Sequence, residues 1–297
     1  MGLPFGAYSL LTKTKIVSNL KLDSEINSNV SCLMFGRAKM SLTQVQQEFA
    51  ISEYGTPKEV LTGWAEPFLK FLGCETVDSL DFSDFETAKV LWNLNKSLNR
   101  VDQNKPTLSS YDLILDYGTS EHVINPAMSV YNATKLLKVG GVLNTMLPVV
   151  GWVDHGFFQF SPCFFYALNR PELELEHLYF WIHDRTTSSL HLWDGLSNEI
   201  EEHVHNAFDG SFAANCFEFL NKRVMAWATF KKNADLNEDD FMLNTQQPIY
   251  QEQWKNRDKI YNSNPSKLRL VNTLNIIKPY LLRRYLYKNC TPISEVV

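Results

Sequence analysis

Histidine is the side chain best suited to moving a proton near neutral pH, and two of this chain's seven histidines sit just behind apolar runs. His122 stands in Gly118-Thr-Ser-Glu-His-Val, after Tyr111-Asp-Leu-Ile-Leu-Asp116. His155 stands in Trp152-Val-Asp-His-Gly-Phe-Phe-Gln-Phe-Ser-Pro162, after the run from Val142 to Val149. Each is a candidate catalytic base for a hydroxyl or protonated-amine substrate. The alternatives are that His122 braces its own loop through a hydrogen bond and that His155 caps a turn. Glu121 is placed to orient His122 or to face a ligand, with plain surface exposure as its other reading. Asp154, Phe157, Phe158 and Gln159 set polar groups among aromatics, the composition of a substrate-binding pocket. Core packing of Phe157, Phe158 and Phe160 is the competing expectation.

Other chemistries find no support. Histidines 177, 183, 191, 203 and 205 lack the helical i, i+4 pairing around a glutamate that marks zinc hydrolases, and no metal site is expected. Neither a G-x-S-x-G elbow nor a Walker loop occurs. The five cysteines (32, 74, 163, 216 and 290) are scattered without C-x-x-C spacing, which suits a reducing compartment. No signal-peptide pattern opens the chain and no run approaches a membrane span. A cytoplasmic protein is expected.

The elements that must carry these residues alternate in type. Strands are expected at Val30–Phe35, at 75–81, 87–91, Tyr111–Asp116 and 142–149, and later at 177–183 and 223–230. Helices are expected over 41–50, over 58–72, and through Ala127, Val130, Tyr131, Thr134 and Leu137, stopping at Gly140-Gly141. Such alternation implies an α/β fold, a doubly wound and mostly parallel sheet with helices on both faces.

The run Tyr111-Asp-Leu-Ile-Leu-Asp-Tyr-Gly-Thr-Ser-Glu-His-Val, followed by Leu136-Leu-Lys-Val-Gly-Gly-Val-Leu, resembles the class I S-adenosylmethionine-dependent methyltransferases. There a strand leads to a Glu-His pair, a helix ends in Leu-Leu-Lys-Pro-Gly-Gly, and another strand follows. A weaker resemblance spans about residues 30 to 232 and implies a seven-stranded Rossmann-like sheet. The stretch around His155 is similar to one found in uncharacterised methyltransferase-like proteins. What the resemblance implies is methyl transfer from S-adenosylmethionine to a small-molecule or saccharide-like acceptor.

Carried onto this sequence, the resemblance makes Gly36, Arg37, Asp81, Phe82, Asn93, Asp116 and Gly118 the cofactor-binding positions. An acid at Asp81 suits the ribose hydroxyls, although a turn-forming aspartate before Phe82-Ser83 reads equally well. Asn93 matches a position near the adenine or caps a turn. Asp116 and Gly118 fall where ligands of open α/β sheets gather. One departure stands out: the family's first loop reads acidic-x-Gly-x-Gly-x-Gly, whereas this chain has Phe35-Gly36-Arg37-Ala38-Lys39. Side chains at Arg37 and Ala38 crowd a loop normally kept bare. Two readings therefore stand: a methyltransferase with an altered loop, or a catalytically silent relative that binds a partner or ligand. A nucleotide-sugar or dinucleotide enzyme is a third, weakened by the missing G-x-G-x-x-G.

Charge divides the chain. Residues 253–289 hold nine basic residues and one acid, so the net charge of −5 leaves −13 for the rest. The acidic body argues against nucleic acid as a partner. Residues 1–29 read as a lead-in helix or cap, 30–232 as the α/β domain, and 233–297 as a basic helical extension. Its apolar residues at 270, 274, 277 and 281 share one helical face, with a break at Pro279. Such helices lie on anionic membrane surfaces, dock on an acidic partner, or pack on the chain's own acidic body.

Overall fold

A computed structural model describes residues 2–23, 29–184, 190–194, 196, 222–246 and 291–292. Gly2–Pro4 is a short strand, β1, followed by helices α1 (Phe5–Thr14) and α2 (Ile16–Asp23). The buried run Val30–Phe35 is β2, and Lys39–Ser41 is β3, which pairs in parallel with β1. Helices α3 (Gln44–Tyr54) and α4 (Glu66–Phe71) lead into β4 (Cys74–Asp81) and the short β5 (Val90–Leu91). Then come β6 (Tyr111–Asp116), α5 (Pro126–Leu136), β7 (Leu137–Val150) and α6 (Pro162–Leu168). The chain continues through β8 (Leu173–Asp184), β9 (Leu190–Asp194), β10 (Lys222–Lys232), α7 (Glu238–Asn244) and β11 (Thr291–Pro292).

The main sheet runs β11-β9-β8-β10-β7-β6-β2-β4-β5. Strands β5, β4, β2, β6 and β7 are parallel, while β10 lies antiparallel between β7 and β8. Starting from β2, the chain winds outward through β4 and β5, then crosses to β6 and β7, the reversal that defines a doubly wound sheet. From β5 to β8 the sheet holds the seven strands expected from the sequence, five of them parallel. Among the described residues, β9 and β11 add two antiparallel strands beyond them.

Side-chain alternation explains why both faces are covered. Leu33 and Phe35 of β2 join Ile114, Leu143, Tyr131, Phe165 and Phe241 in one core. Their neighbours Cys32 and Met34 join Leu113, Leu115, Phe68 and Trp227 in the other. The segment ahead of β2 belongs to that second core: Phe5, Tyr8 and Leu11 are buried there, and the Tyr8 hydroxyl meets Thr56 Oγ1 at 2.6 Å. Gly6 passes so close to Trp181 that a Cβ would stand 2.6 Å from the indole ring.

Helix boundaries differ from the sequence expectation for local reasons. Instead of starting at 41, α3 begins behind Thr43, which closes a capping box with Gln46, and it ends at Gly55 with φ 62°. The expected helix over 58–72 is broken into a single 3-10 turn at Lys58–Val60 and α4, with Gly63 at φ 75° between them. Gly140-Gly141 does not cap α5. That helix stops at Leu136 because Leu137 is already extended, and Gly140, at φ 84°, lies inside β7 near a register shift against β6. Among the described residues no helix is long and apolar enough to cross a membrane. The basic helices expected around 265–288 fall outside the described residues.

Candidate active site

The carboxyl ends of β6 and β7 converge on Glu121, and hydrogen bonds explain how. Asp116, the last residue of β6, is buried and turns the chain back on itself: its Oδ1 accepts from the backbone N–H of Thr119 at 3.0 Å and of Ser120 at 3.3 Å. Its other oxygen accepts a short hydrogen bond from the Ser120 hydroxyl, which also meets Ser129 Oγ at 2.7 Å. Thr119 Oγ1 donates to the Phe35 carbonyl at 2.6 Å, tying this loop to β2. Burial raises the Asp116 pKa despite these donors. The outcome is a single 3-10 turn, Ser120–His122, that directs Glu121 inward and leaves His122 exposed.

A second loop closes over this turn. The N–H groups of Phe157 and Phe158 donate to the Glu121 carbonyl at 2.7 and 3.3 Å, and Phe160 N–H donates to the Pro148 carbonyl at 2.7 Å. The Trp152 N–H donates to Gln159 Oε1 at 3.0 Å and its indole N–H to the Val224 carbonyl at 3.2 Å. These bonds bring His155 over Glu121, with Nε2 3.8 Å from Oε1. His122 and His155 meet nearly edge to face with ring centroids 5.2 Å apart, and Trp152 flanks His155 at the same distance. Arg223 stacks on the Trp152 ring at 4.7 Å.

The electrostatics are unusual. The Glu121 side chain is 1% exposed, and neither carboxylate oxygen has a hydrogen-bond partner beyond the backbone of Glu121 itself. Burial, then the nearby Asp116 carboxylate, pushes its pKa up to about 8. His122 is shifted down, first by burial and then by His155. A buried polar group left without hydrogen bonds costs about 1–3 kcal/mol, and such costs concentrate at functional sites.

Each expected residue has a definite place. Glu121 is buried, not surface-exposed, and shares one cluster with His122 and His155. Of the three phenylalanines, Phe160 is core, Phe158 packs partly against it, and Phe157 is 67% exposed. Asp154 is exposed and adopts φ 64° in the turn before His155. Gln159 braces Trp152. Trp152, Ser120 and Ser129 also shape the site; the Trp152-x-x-His155 spacing was the available signal for the first, while the serines carry none.

The expected cofactor positions are less open. Asp81 Oδ1 accepts from Phe82 N–H at 2.6 Å and Ser83 N–H at 3.4 Å, the arrangement of a turn-forming aspartate. Asn93 Oδ1 is engaged by Asn95. Phe82 is exposed, and Gly118 turns the chain at φ 99°. Gly36 turns at φ 68°, after which Arg37 spans two loops. Its Nε bonds Glu66 at 2.6 Å, its Nη1 bonds Thr87 Oγ1 at 2.6 Å and the Glu86 carbonyl at 3.1 Å, and it covers the Trp64 ring at 4.2 Å. Beside Gly36, Leu3, Met34, Ala38, Leu115 and Tyr117 line an apolar crevice with no room for a water molecule.

No protein-family profile matches the chain, and no curated protein matches it in sequence. Among solved structures, it is similar to the YcgJ protein of Bacillus subtilis at 14% identity and a TM-score of 0.34, over 75% of this chain and 100% of that one. Another is the O-MT segment of StiE, at 14% identity and a TM-score of 0.34, over 82% of each chain. A third is the [4+2]-cyclase SpnF, at 12% identity and a TM-score of 0.35, over 74% of this chain and 81% of that one. The fold rests on the strand order described above, not on these likenesses.

Proposed function

We propose that this chain, built on the class I methyltransferase fold, is an S-adenosylmethionine-dependent methyltransferase acting on a hydroxyl-bearing small-molecule or saccharide-like acceptor. One observation carries the reading: a buried carboxyl group without hydrogen bonds to other residues lies under two exposed imidazoles at the carboxyl edge of β6 and β7, in Glu121, His122 and His155. Carboxyl edges are where open α/β sheets bind ligands. In this reading the cluster receives the acceptor hydroxyl, Phe157 and Phe158 offer apolar surface beside it, and Asp154 and Gln159 border the entrance. The histidines are the groups at hand to take the hydroxyl proton.

The cofactor supplies a methyl group already activated on a sulfonium, so the protein's part is alignment and exclusion of water. The residues present fit its adenosine half better than its methionine half. Asp81 ends β4, Phe82 follows it and Asn93 lies just past β5, with an acid for the ribose and an exposed ring for the base. Asp116 and Gly118 border the same edge. The methionine half meets a loop with Arg37 and Ala38 in place of glycines, already tied to Glu66 and Thr87. That clamp favours a second reading, in which the chain keeps the fold and binds a ligand or partner without using the cofactor.

Calorimetry with S-adenosylmethionine and S-adenosylhomocysteine separates the two. Binding at or below millimolar concentration supports the methyltransferase reading; a folded sample that binds neither overturns it in favour of the second. The free thiols Cys32, Cys74 and Cys163 accord with a reducing compartment such as the cytoplasm.

A further inference from the structure

We propose that Glu121, His122 and His155 bind a divalent transition-metal ion, of the kind that accepts two imidazoles and one carboxylate. Their ligand atoms lie within 4.8 Å of one another. Four-coordinate zinc, with bonds of about 2.0–2.2 Å, sets its ligands roughly 3.4 Å apart. The Glu121 Oε1 to His155 Nε2 distance of 3.8 Å is near that value. Both imidazoles are exposed, whereas the Glu121 carboxyl group is buried.

The independent indication is Glu121 itself. It is 1% exposed, both oxygens lack hydrogen-bond partners beyond the backbone of Glu121 itself, and among the described residues its sole ion-pair neighbour is His155. Asp116, also buried, has three donors of its own and adds negative charge close by. Two buried carboxyl groups lie beneath two imidazoles, an arrangement that a cation would complete. The loop geometry is fixed by bonds that do not involve the ligand atoms, since Phe157 and Phe158 hold the Glu121 carbonyl. Mixed nitrogen and oxygen donors favour zinc, iron(II) or cobalt(II) over magnesium or calcium, which prefer oxygen alone. Three protein ligands leave at least one position for an oxygen from solvent or an acceptor.

Only the catalytic consequence rests on the proposed acceptor site; ion binding stands by itself. The test uses the full chain, free of any polyhistidine tag and stripped with chelator, titrated with cobalt(II). Expected are one equivalent bound, visible absorption from the bound ion, and competition by zinc. His155→Ala, at a half-exposed position, should weaken binding at least tenfold, as should Glu121→Gln, which keeps the shape of the buried side chain. Thermal melts check that each variant is folded. Absence of binding to folded wild-type protein overturns the proposal, as does affinity unchanged in both folded variants. Calorimetry with S-adenosylhomocysteine on the same stripped sample reports separately on the methyltransferase reading.

Discussion

Gly156 packs directly against Glu121: a Cβ at position 156 would lie 2.9 Å from both the Glu121 Cγ and its carbonyl oxygen. Gly156 also adopts φ 74°, a conformation that costs an L-residue about 1–2 kcal/mol. The His155 loop can therefore reach the Glu121 turn only through a residue with no side chain. Gly156→Ala is expected to push the loops apart and destabilise the protein by about 1–3 kcal/mol. Thermal denaturation and cobalt(II) titration read the two effects. A variant with wild-type melting and wild-type metal affinity contradicts this account of the loop.

Arg37 clamps the loop that would carry the methionine half of the cofactor. Its ion pair with Glu66 is partly shielded, with side chains 23% and 20% exposed. Removing the guanidinium strands a poorly solvated carboxylate, so Arg37→Ala should cost about 1–2 kcal/mol in urea denaturation. If the clamp also bars the cofactor, the same variant should bind S-adenosylhomocysteine more tightly than wild type. Equal affinity would show that Arg37 is structural alone.

Asp112 sets an acid limit on stability. Burial alone would raise its pKa, but the Ser31 hydroxyl and N–H at 2.6 and 2.9 Å and the Lys138 ammonium at 2.9 Å outweigh it. The folded value therefore lies below the usual 3.8. Because the folded pKa is depressed, this contribution is full above the unfolded value and fades as pH falls through the folded one. Asp112→Asn should thus be less stable than wild type at neutral pH, with the gap narrowing as the acid range is entered. Melting curves across that range check it; a gap that stays constant removes Asp112 from the acid response.

Several elements were legible because burial wrote them into local pattern. Val30–Phe35 and Tyr111–Asp116 are found at the expected bounds, since both faces of each strand are covered and the run is almost continuously apolar. The Gly140-Gly141 pair misled because glycines serve helix ends and strand irregularities alike, and nothing local separates the two. At the site, His122 and His155 were marked by their positions after strands. The depth of Glu121 was not, because it depends on hydrogen bonds from a loop more than thirty residues later. Asp81 was equally readable as a ribose ligand or a turn former, and its bonds to Phe82 and Ser83 are those of the turn.

Gly6 also has a long-range neighbour. With Trp181 ring carbons 2.6–2.7 Å from a would-be Cβ, Gly6→Ala should shift α1 and lower the melting temperature. Phe5 and Tyr8 pack on Phe49, Tyr54 and Phe68, which follow early in the chain, whereas Trp181 comes much later. During translation this helix can gather its early aromatic partners, but its contact with Trp181 forms only after most of the sheet has emerged. The Trp181 contact of this helix is thus made late in synthesis, so demand for a chaperone should fall on the interval before β8 emerges.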